Sequence, residues 1–220
     1  MGIGHHSDLI TAPIFAISRL RMGTDGQGVT TLVAFMGCPL KCKYCLNRQC
    51  HKEIYEDDAT TPREGIAILT PQELYDLVKK DNIYFQATGG GICFGGGEPT
   101  MYEKFIIEFK RLCGDKWKIT FETCLKCSNK TIQALSNVVD HWIVDIKSWN
   151  PHIYERYTKV SSDVDQNLET LSKYVPVEKV TIKVPRIPGF NDEANLDEDI
   201  KKIKQRYGFI NVVESKYIKL

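Results

Sequence analysis

The sequence predicts an α/β protein, a partial (β/α)6 barrel of parallel strands with its functional residues at the C-terminal rim. Strand and helix patterns alternate five or six times, which is typical of a parallel sheet. The 220 residues are fewer than the roughly 250 of a full eight-strand barrel. An open or partial barrel therefore fits best, with a doubly wound sheet as the alternative. No linker divides the chain, so we expect a single domain over residues 1–220 with its core at about 14–213.

The composition narrows the class of protein. Charged residues make up 26% and apolar residues 42% of the chain, and the formal net charge is +1. This balance gives no reason to expect a nucleic acid or an anionic membrane as partner, and no run of about 18 apolar residues predicts a membrane span. The first residues lack the order of a signal peptide, so we expect a cytoplasmic protein. The eight cysteines are then more typical of metal or redox ligands than of disulfides.

Short apolar runs bounded by turn residues predict the strands. One covers Val29–Phe35 and follows a turn at residues 23–28, which is rich in residues that tolerate unusual backbone angles. The other strands are expected at residues 14–17, 92–94, 119–121, 142–146, 180–184 and 210–213.

Capping residues and apolar stripes predict the helices. Residues 70–73 (Thr-Pro-Gln-Glu) form a capping box with proline in the first turn, and Thr100–Glu103 repeat the pattern before a second helix. Asn195 and Glu198 are expected to cap the last helix. The apolar stripes contain Leu74, Leu77 and Val78; Phe105, Phe109 and Leu112; Ile132, Leu135 and Val139; Leu168 and Leu171; and Leu196, Ile200, Ile203 and Tyr207.

Three cysteines lie in one short loop directly after a predicted strand. Cys38, Cys42 and Cys45 have the spacing C-x3-C-x2-C, and three thiolates on one tight loop can hold three irons of a cubane iron–sulfur cluster. The fourth iron would then be open to a small molecule. Two alternatives remain at this point. Cys50 or His51 could supply a fourth ligand and close a tetrahedral zinc site, or the thiols could be buried, reduced core residues.

Unusual polar residues recur at the carboxyl ends of five predicted strands, where parallel α/β folds place their active sites. They are the three loop cysteines, residues 95–99, Glu122 with Thr123, Asp145 with Lys147, and Lys183 with Arg186. Five such positions on the same rim predict one site.

The Gly-Gly-Gly-Glu-Pro sequence at residues 95–99 is predicted to approach a ligand. Glycines allow close approach of the backbone, and Glu98 could accept a hydrogen bond from an ammonium group. The alternative is a tight turn before a helix that begins at Pro99 or Thr100. A phosphate loop is excluded because no Lys-Ser or Lys-Thr follows the glycines, and the spacing of a dinucleotide fingerprint is absent.

The remaining reactive side chains have less specific patterns. Asp145 and Lys147 are two residues apart on a strand and point to one face, although a surface ion pair is the alternative. Lys183 alone is more typical of a solvated charge. Cys124 and Cys127 are interpreted as bystanders, with a redox pair or auxiliary ligands as the alternative. The residues without a role in the site are Cys93, which is expected in the core, His141 and His152.

The cysteine loop and the glycine loop together resemble the radical S-adenosylmethionine (SAM) superfamily. The resemblance is carried by Cys38-x3-Cys42-x-Tyr44-Cys45 and by Gly96-Gly97-Glu98-Pro99. Within the superfamily, the chain most resembles the glycyl-radical-enzyme activating enzymes, typified by pyruvate formate-lyase-activating enzyme. The other segments that resemble this family are Asp25–Gly28, Glu122–Thr123, Asp145–Lys147, Tyr157–Ser161, Asn167–Leu168 and Pro188–Asp192.

The resemblance implies two cofactors, a [4Fe–4S] cluster and SAM, at a cluster site on the C-terminal rim. The implied ligands of the cluster are Cys38, Cys42 and Cys45. The implied SAM contacts are Tyr44 at the adenine, Gly96, Gly97 and Glu98 at the amino end, and Asp145, Lys147 and Lys183 at the ribose or carboxylate, with Glu122 nearby. No catalytic residue is expected beyond the cluster and the cofactor, because the cofactors carry the chemistry.

The resemblance also implies an anaerobic radical SAM oxidoreductase that acts on another protein. One electron from a low-potential donor such as flavodoxin or ferredoxin would cleave SAM to methionine and a 5′-deoxyadenosyl radical. That radical would take a hydrogen atom from a glycine of a partner glycyl-radical enzyme. One alternative is a radical SAM enzyme that acts on a small molecule or peptide. A more remote one is a non-enzymatic zinc-binding module built on Cys38, Cys42, Cys45 and Cys50.

Two of the chain's departures from the family pattern concern the proposed site. Lys183 stands where the family usually has arginine, which puts a point charge in place of a bidentate fork. Many members carry an eight-cysteine ferredoxin-like insert soon after the cluster loop. Only Cys50 lies between Cys45 and Cys93 here, so that insert is absent.

Overall fold

A computed structural model of the chain describes residues 9–186, Gly189, Asn191 and residues 196–216. The described strands form one sheet in the spatial order β3-β1-β2-β4-β5-β6-β7-β8. The strands are β1 (Ala12–Met22), β2 (Val29–Phe35), β3 (Ala67–Leu69), β4 (Gly91–Gly96), β5 (Lys118–Thr123), β6 (His141–Asp145), β7 (Val180–Arg186) and β8 (Asn211–Lys216).

Six of these strands run parallel. The parallel ladder begins with β2 and continues through β4, β5, β6, β7 and β8, whereas β1 and β3 add an antiparallel edge beside β2. Since β3 and β8 lie at opposite ends of the strand order, the described sheet is open. The predicted α/β fold with a parallel sheet is confirmed, and the six parallel strands match a partial (β/α)6 barrel.

Helices connect the parallel strands, as crossover connections require. The described α-helices are α1 (Pro71–Val78), α2 (Asn82–Thr88), α3 (Glu103–Cys113), α4 (Asn129–Leu135), α5 (Pro151–Thr158), α6 (Val164–Tyr174) and α7 (Leu196–Tyr207). None of the helices in this part of the chain combines the length and apolar character that a membrane crossing needs.

The two faces of the sheet differ in character, as β5 illustrates. Ile119 and Phe121 point to one face and Thr120 and Glu122 to the other, because side chains alternate along a strand. Ile119 and Phe121 belong to a continuous apolar core in which strand and helix residues pack together. Burial of the apolar surface of this core is the main source of the protein's folding stability. The opposite face carries Thr120 and Glu122 of β5 beside apolar residues of the neighbouring strands, among them Cys93 and Ile143.

The turn between β1 and β2 packs against the start of β5. Asp25 is buried, and the Arg21 guanidinium donates two hydrogen bonds to its carboxylate. Gly26 lies so close to Thr120 that a Cβ atom on it would stand 2.6 Å from the Thr120 hydroxyl. The turn is thereby fixed at the amino ends of the parallel strands, opposite the rim that carries the predicted site.

Two helix starts show where local patterns succeed and where they fail. Thr70 and Glu73 form the predicted capping box of α1. The predicted capping box at Thr100 is wrong. The Thr100 amide and hydroxyl both donate to Glu98, at 3.2 and 2.7 Å, so residues 99–102 form a 3₁₀ turn and α3 begins at Glu103.

Other elements differ from the predictions in extent. β2 has the predicted bounds, whereas β1 is much longer than residues 14–17, and β3 and α2 were not predicted. α2 was not predicted because it has no apolar stripe: it buries Phe85, whereas Ile83 and Tyr84 are exposed. The predicted cap residue Asn195 lies outside the described residues.

Candidate cluster and cofactor site

The cysteine loop lies at the carboxyl end of β2 and is held by backbone hydrogen bonds. The Gly37 amide donates to the Cys50 carbonyl at 2.7 Å, and the Lys41 amide donates to the Thr158 carbonyl at 2.8 Å. A further bond joins Lys43 to the last turn of α5. Because both ends of the loop are anchored, its three thiols are presented from a fixed backbone.

The three predicted cluster ligands are half-buried, and their thiol pKa values are shifted in different directions. A hydrogen bond from the Cys124 thiol lowers the pKa of Cys38, and one from the Cys50 thiol lowers the pKa of Cys45 to about 5. Burial raises the pKa of Cys42 to about 12, although the nearby Lys147 ammonium group opposes this effect. Both shifts move Cys38 and Cys45 toward the thiolate form that binds metals.

The structure also brings Cys50 and His51 to the loop. Among the described residues, the potential ligand atoms of Cys45, Cys50 and His51 lie within 4.8 Å of one another. Cys38 and Cys42 are outside this group. A single ion gathers its ligands around one centre, whereas a cubane cluster gives each thiolate a different iron, so the compact group and the three-cysteine set suit different metals.

The glycine loop after β4 docks directly onto the cysteine loop. The Gly97 amide donates to the Phe35 carbonyl and the Glu98 amide to the Gly37 carbonyl, both at 2.9 Å. The Asn47 side chain adds a third link, because its amide donates to the Gly96 carbonyl at 3.0 Å. Two of the motifs predicted to share a site are therefore physically joined.

Close approach explains the glycines of this loop. A Cβ atom on Gly97 would lie 2.7 Å from the Phe35 carbonyl oxygen and closer still to that of Gly37. Gly96 has a positive φ of 82°, and a side chain there would collide with Ala34. The backbone that these glycines approach is the protein's own, which corresponds to the tight-turn alternative.

Glu98 turns into the protein. It is 1% exposed, and its carboxylate accepts hydrogen bonds from the Thr100 amide and hydroxyl, from the Thr123 hydroxyl at 2.6 Å and from the Cys124 amide at 2.8 Å. A buried carboxylate needs such donors. Glu98 thereby ties the glycine loop to the end of β5, and a contact from its side chain to a ligand's ammonium group stays a prediction.

Four charged residues lie together near the rim. The Lys183 ammonium group donates to Glu122 at 3.1 Å, and both side chains are about one-third exposed. Asp145 is paired with Lys183 in the register of β6 and β7 and forms an ion pair with Lys147. The structure thus brings together the residues that were predicted at three different strand ends.

Asp145 has one oxygen that the protein does not satisfy. Its Oδ2 accepts from Lys147, whereas its Oδ1 is buried and has no hydrogen-bond partner among the described residues. Burial acts to lower the pKa of Lys147, but the Asp145 carboxylate and the Cys42 thiol outweigh it and raise that pKa above its usual value. Lys147 is therefore positively charged. Asp145 Oδ1 is a buried acceptor that a donor from a ligand or a water molecule would satisfy.

Tyr44 lies in the cysteine loop and is 38% exposed. The centroid of its ring is 6.2 Å from that of Tyr157, with the planes tilted by 33°. Tyr44 therefore lies at the edge of the loop, beside a residue of α5.

Two further residues lie near the cysteines. Cys124, interpreted as a bystander with a redox pair or auxiliary ligands as the alternative, contacts Cys38. Tyr154 is 1% exposed, and its hydroxyl has no hydrogen-bond partner in the described part of the chain. Burial raises the pKa of Tyr154, and the nearby thiols of Cys124 and Cys42 add to this effect. In the sequence, a tyrosine on the apolar stripe of a helix cannot be told from a core residue.

Cys93 lies in the core, as expected, and His141 lies at the start of β6. Cys93 is fully buried in β4. His141 shares a hydrogen bond of 3.0 Å with the Thr181 hydroxyl, and burial lowers its pKa, which favours a neutral ring.

Comparison with known proteins agrees with this geometry. The sequence profile of the Radical SAM superfamily matches residues 32–207, well over half of the chain. The chain therefore belongs to the radical SAM superfamily, whose enzymes use a [4Fe–4S] cluster and SAM. Family membership in turn excludes the non-enzymatic zinc module as the function of this chain.

Curated relatives match along most of the chain. The (2S)-3-sulfopropanediol dehydratase activating enzyme of Klebsiella oxytoca is 25% identical over 274 positions, which cover 94% of this chain and 84% of the relative. The pyruvate formate-lyase 1-activating enzyme of Escherichia coli K12 is 26% identical over 198 positions, which cover 86% and 74%. Since 274 positions exceed the 220 residues of this chain, the first relative carries segments that this chain lacks.

A solved structure supports the fold. The structure of Streptococcus suis SuiB bound to the precursor peptide SuiA superposes with a TM-score of 0.61 and 13% identity. The match covers 85% of this chain but only 38% of that protein, and at this identity it shows the shared fold alone.

Proposed function

We propose that this chain is a glycyl-radical-enzyme activating enzyme that holds a [4Fe–4S] cluster on Cys38, Cys42 and Cys45 and binds SAM on the adjacent rim. The observation that carries the proposal is the position of the cysteine loop at the carboxyl-end rim. Cys42 lies beside the Lys147–Asp145 ion pair, and the loop is bonded to the glycine loop.

The residues present fit both cofactors. Three half-buried thiols on one anchored loop match the donor set of a cluster with one open iron. The buried, unpartnered oxygen of Asp145 is the kind of acceptor that a ligand hydroxyl or ammonium group would satisfy. The bound cluster and SAM supply one-electron reductive cleavage of SAM and the hydrogen-atom abstraction that follows.

The side chains of the chain bind and orient in this proposal, and none transfers a proton. Lys147 and Lys183 offer fixed positive charge to the carboxylate of SAM, and Asp145 Oδ1 accepts from a hydroxyl group of its ribose. Glu122 keeps Lys183 in place through their ion pair. Tyr44 offers its exposed ring to the adenine.

The glycine loop is proposed to meet the amino end of SAM through its backbone. The carboxylate of Glu98 is already used by Thr100, Thr123 and Cys124. The Gly97 carbonyl is then the acceptor that this segment has to offer to an ammonium group, since the Gly96 and Glu98 carbonyls accept from the Asn47 side chain and the Met101 amide. Glu98 acts as the residue that positions it.

The partner assignment rests on the relatives. Proteins similar to this chain are named as activating enzymes of a dehydratase and of pyruvate formate-lyase. We infer by analogy that the substrate of this chain is a glycine in a separate glycyl-radical enzyme, and that a low-potential donor such as flavodoxin or ferredoxin supplies the electron.

Electron paramagnetic resonance tests the partner assignment directly. The anaerobically reconstituted chain is mixed with SAM, a low-potential reductant and a candidate glycyl-radical enzyme encoded beside it. We expect a glycyl-radical signal that is absent with the Cys42→Ala chain and with a partner whose radical-site glycine is replaced by alanine. If the chain cleaves SAM but gives no protein radical with such a partner, and instead modifies a peptide or small molecule, the assignment is wrong.

A further inference from the structure

Cys45, Cys50 and His51 form a ligand set of their own beside the proposed cluster ligands. Their two sulfur atoms and one ring nitrogen lie within 4.8 Å of one another, a group compact enough for a single metal ion to draw together. The set shares Cys45 with the cluster loop and includes neither Cys38 nor Cys42. No step of the proposed radical chemistry uses Cys50 or His51.

The backbone holds this ligand set in place. Cys50 and His51 lie on a 3₁₀ turn, Arg48–His51, whose Cys50 amide donates to the Asn47 carbonyl at 2.9 Å. The Cys50 carbonyl accepts from the Gly37 amide at 2.7 Å. Both bonds tie the turn to the loop that carries Cys45, so the three ligand groups are positioned before any ion binds.

The surroundings suit an ion that enters from solvent. Cys50 is 2% exposed and Cys45 is half-buried, whereas His51 is exposed. One side of the group is therefore closed by protein and the imidazole side is open. Three protein ligands with an open side leave the fourth position of a tetrahedral ion to water.

We propose that Cys45, Cys50 and His51 bind one zinc-class divalent ion, and that this ion and the cluster exclude each other. Two thiolates and an imidazole are ligands that zinc prefers, and calcium or magnesium would require oxygen ligands. The exclusion follows because the Cys45 thiolate belongs to both ligand sets and would otherwise have to bridge the ion and an iron of the cluster. By linkage, an ion at this site lowers the affinity of the apoprotein for the cluster, and the cluster lowers the affinity for the ion.

The test uses zinc alone, with cobalt(II) as a spectroscopic substitute, on the full-length apoprotein under anaerobic conditions. Cys50→Ser and His51→Asn each remove a ligand of the new set only, and Cys38→Ser removes a ligand of the cluster only. His152→Asn is the control for histidine loss, because His152 is exposed on α5 and lies outside the ligand group. Circular dichroism establishes that each variant is folded.

We expect the variants of the new ligand set to lose zinc binding and the Cys38→Ser variant to keep it. The unmodified apoprotein and Cys38→Ser bind one zinc per chain, whereas Cys50→Ser and His51→Asn bind it at least about tenfold more weakly, a change of about 1.4 kcal/mol. The cobalt spectrum shows thiolate ligation that disappears in Cys50→Ser. Zinc added before reconstitution lowers the iron and sulfide content of the unmodified protein but not that of Cys50→Ser.

Three results would overturn the proposal: no tight zinc binding by the apoprotein, equal binding by Cys50→Ser, or loss of zinc from Cys38→Ser. The last would place the ion on the three cluster cysteines. Iron and sulfide analysis of Cys50→Ser separates this proposal from the proposed function, because a normal cluster there leaves the function intact whatever the zinc result.

Discussion

The side-chain amide of Asn47 donates a hydrogen bond of 3.0 Å to the carbonyl oxygen of Gly96. This bond crosses from the cysteine loop to the glycine loop, which are 49 residues apart in the chain. It joins the segment proposed to hold the cluster to the segment proposed to meet the amino end of SAM.

Replacing Asn47 by alanine is expected to loosen this junction. The lost hydrogen bond costs about 1 kcal/mol of folding stability, and the affinity of the cluster-loaded protein for SAM falls several-fold because the two loops are no longer held together. Thermal unfolding and equilibrium dialysis of SAM measure the two effects. Asn129→Ala, on the exposed first turn of α4, is the control. Unchanged SAM affinity in Asn47→Ala would show that the junction does not shape the site.

Gly97→Ala is expected to destabilise the protein by about 3 kcal/mol or more, because the new methyl group collides with the carbonyls of Gly37 and Phe35, which cannot move aside. Gly89→Ala is the matched control. Gly89 has a left-handed backbone but no atom within 4 Å of a new Cβ, so its replacement costs about 1–2 kcal/mol from strain alone. Denaturant unfolding compares the two variants, and equal losses would refute the close-packing explanation.

Asp145→Asn is expected to weaken SAM binding by about tenfold or more, because a hydrogen bond to a charged acceptor contributes roughly 1.5–3 kcal/mol. Its effect on folding is small, since the Asp145–Lys147 pair is partly exposed and such pairs contribute at most about 1 kcal/mol. Equilibrium dialysis with the cluster-loaded protein measures the affinity. Asp115→Asn, which removes a fully exposed carboxylate, should leave it unchanged. Normal binding by Asp145→Asn would remove this residue from the site.

Asp81 gives the fold a pH dependence with a defined sign. Its buried carboxylate accepts hydrogen bonds from Arg19 and Thr31, and the Arg19 guanidinium holds the pKa of Asp81 below its usual value. A lowered carboxyl pKa stabilises the folded protein above the unfolded-state pKa of about 4, and this stability is lost as the pH falls through the folded-state pKa.

Asp81→Asn tests that assignment. At pH 7 the variant should be less stable by about 2 kcal/mol, because a hydrogen-bonded charge is lost, and the difference from the unmodified protein should shrink below about pH 4. Denaturant unfolding across this pH range measures it. A difference that stays constant down to pH 3 would contradict the role of the ionised carboxylate.

Local sequence patterns predicted much of the fold. Val29–Phe35 was located to the residue because an apolar run stands between a glycine-rich turn and the cysteine loop. The capping box of α1 was also predictable from a local pattern, because its two partners, Thr70 and Glu73, are three residues apart. β3, with three residues on the antiparallel edge, is too short to leave a comparable pattern.

The contacts within the site were less predictable because they cross between elements. Strand-end positions placed Glu122, Asp145 and Lys183 on one rim, and the register and the ion pair join them there. The Glu98 side chain points into the protein because it accepts a hydrogen bond from Thr123 at the end of the neighbouring strand β5. No local sequence pattern predicts a contact between residues so far apart in the chain. The proximity of Cys50 to Cys45 likewise follows from the 3₁₀ turn of residues 48–51.

The most direct test of the central claim compares Cys42→Ala with the unmodified protein. Both are reconstituted anaerobically, analysed for iron and sulfide, reduced with dithionite and assayed for 5′-deoxyadenosine after addition of SAM. Cys113→Ala, which removes a buried thiol at the end of α3, is the matched control. We expect iron, sulfide and 5′-deoxyadenosine in the unmodified protein and in Cys113→Ala, and a loss of both cluster and product in Cys42→Ala. A Cys42→Ala protein that keeps a full cluster and forms 5′-deoxyadenosine at the unmodified rate would contradict the assignment of the cluster to this loop.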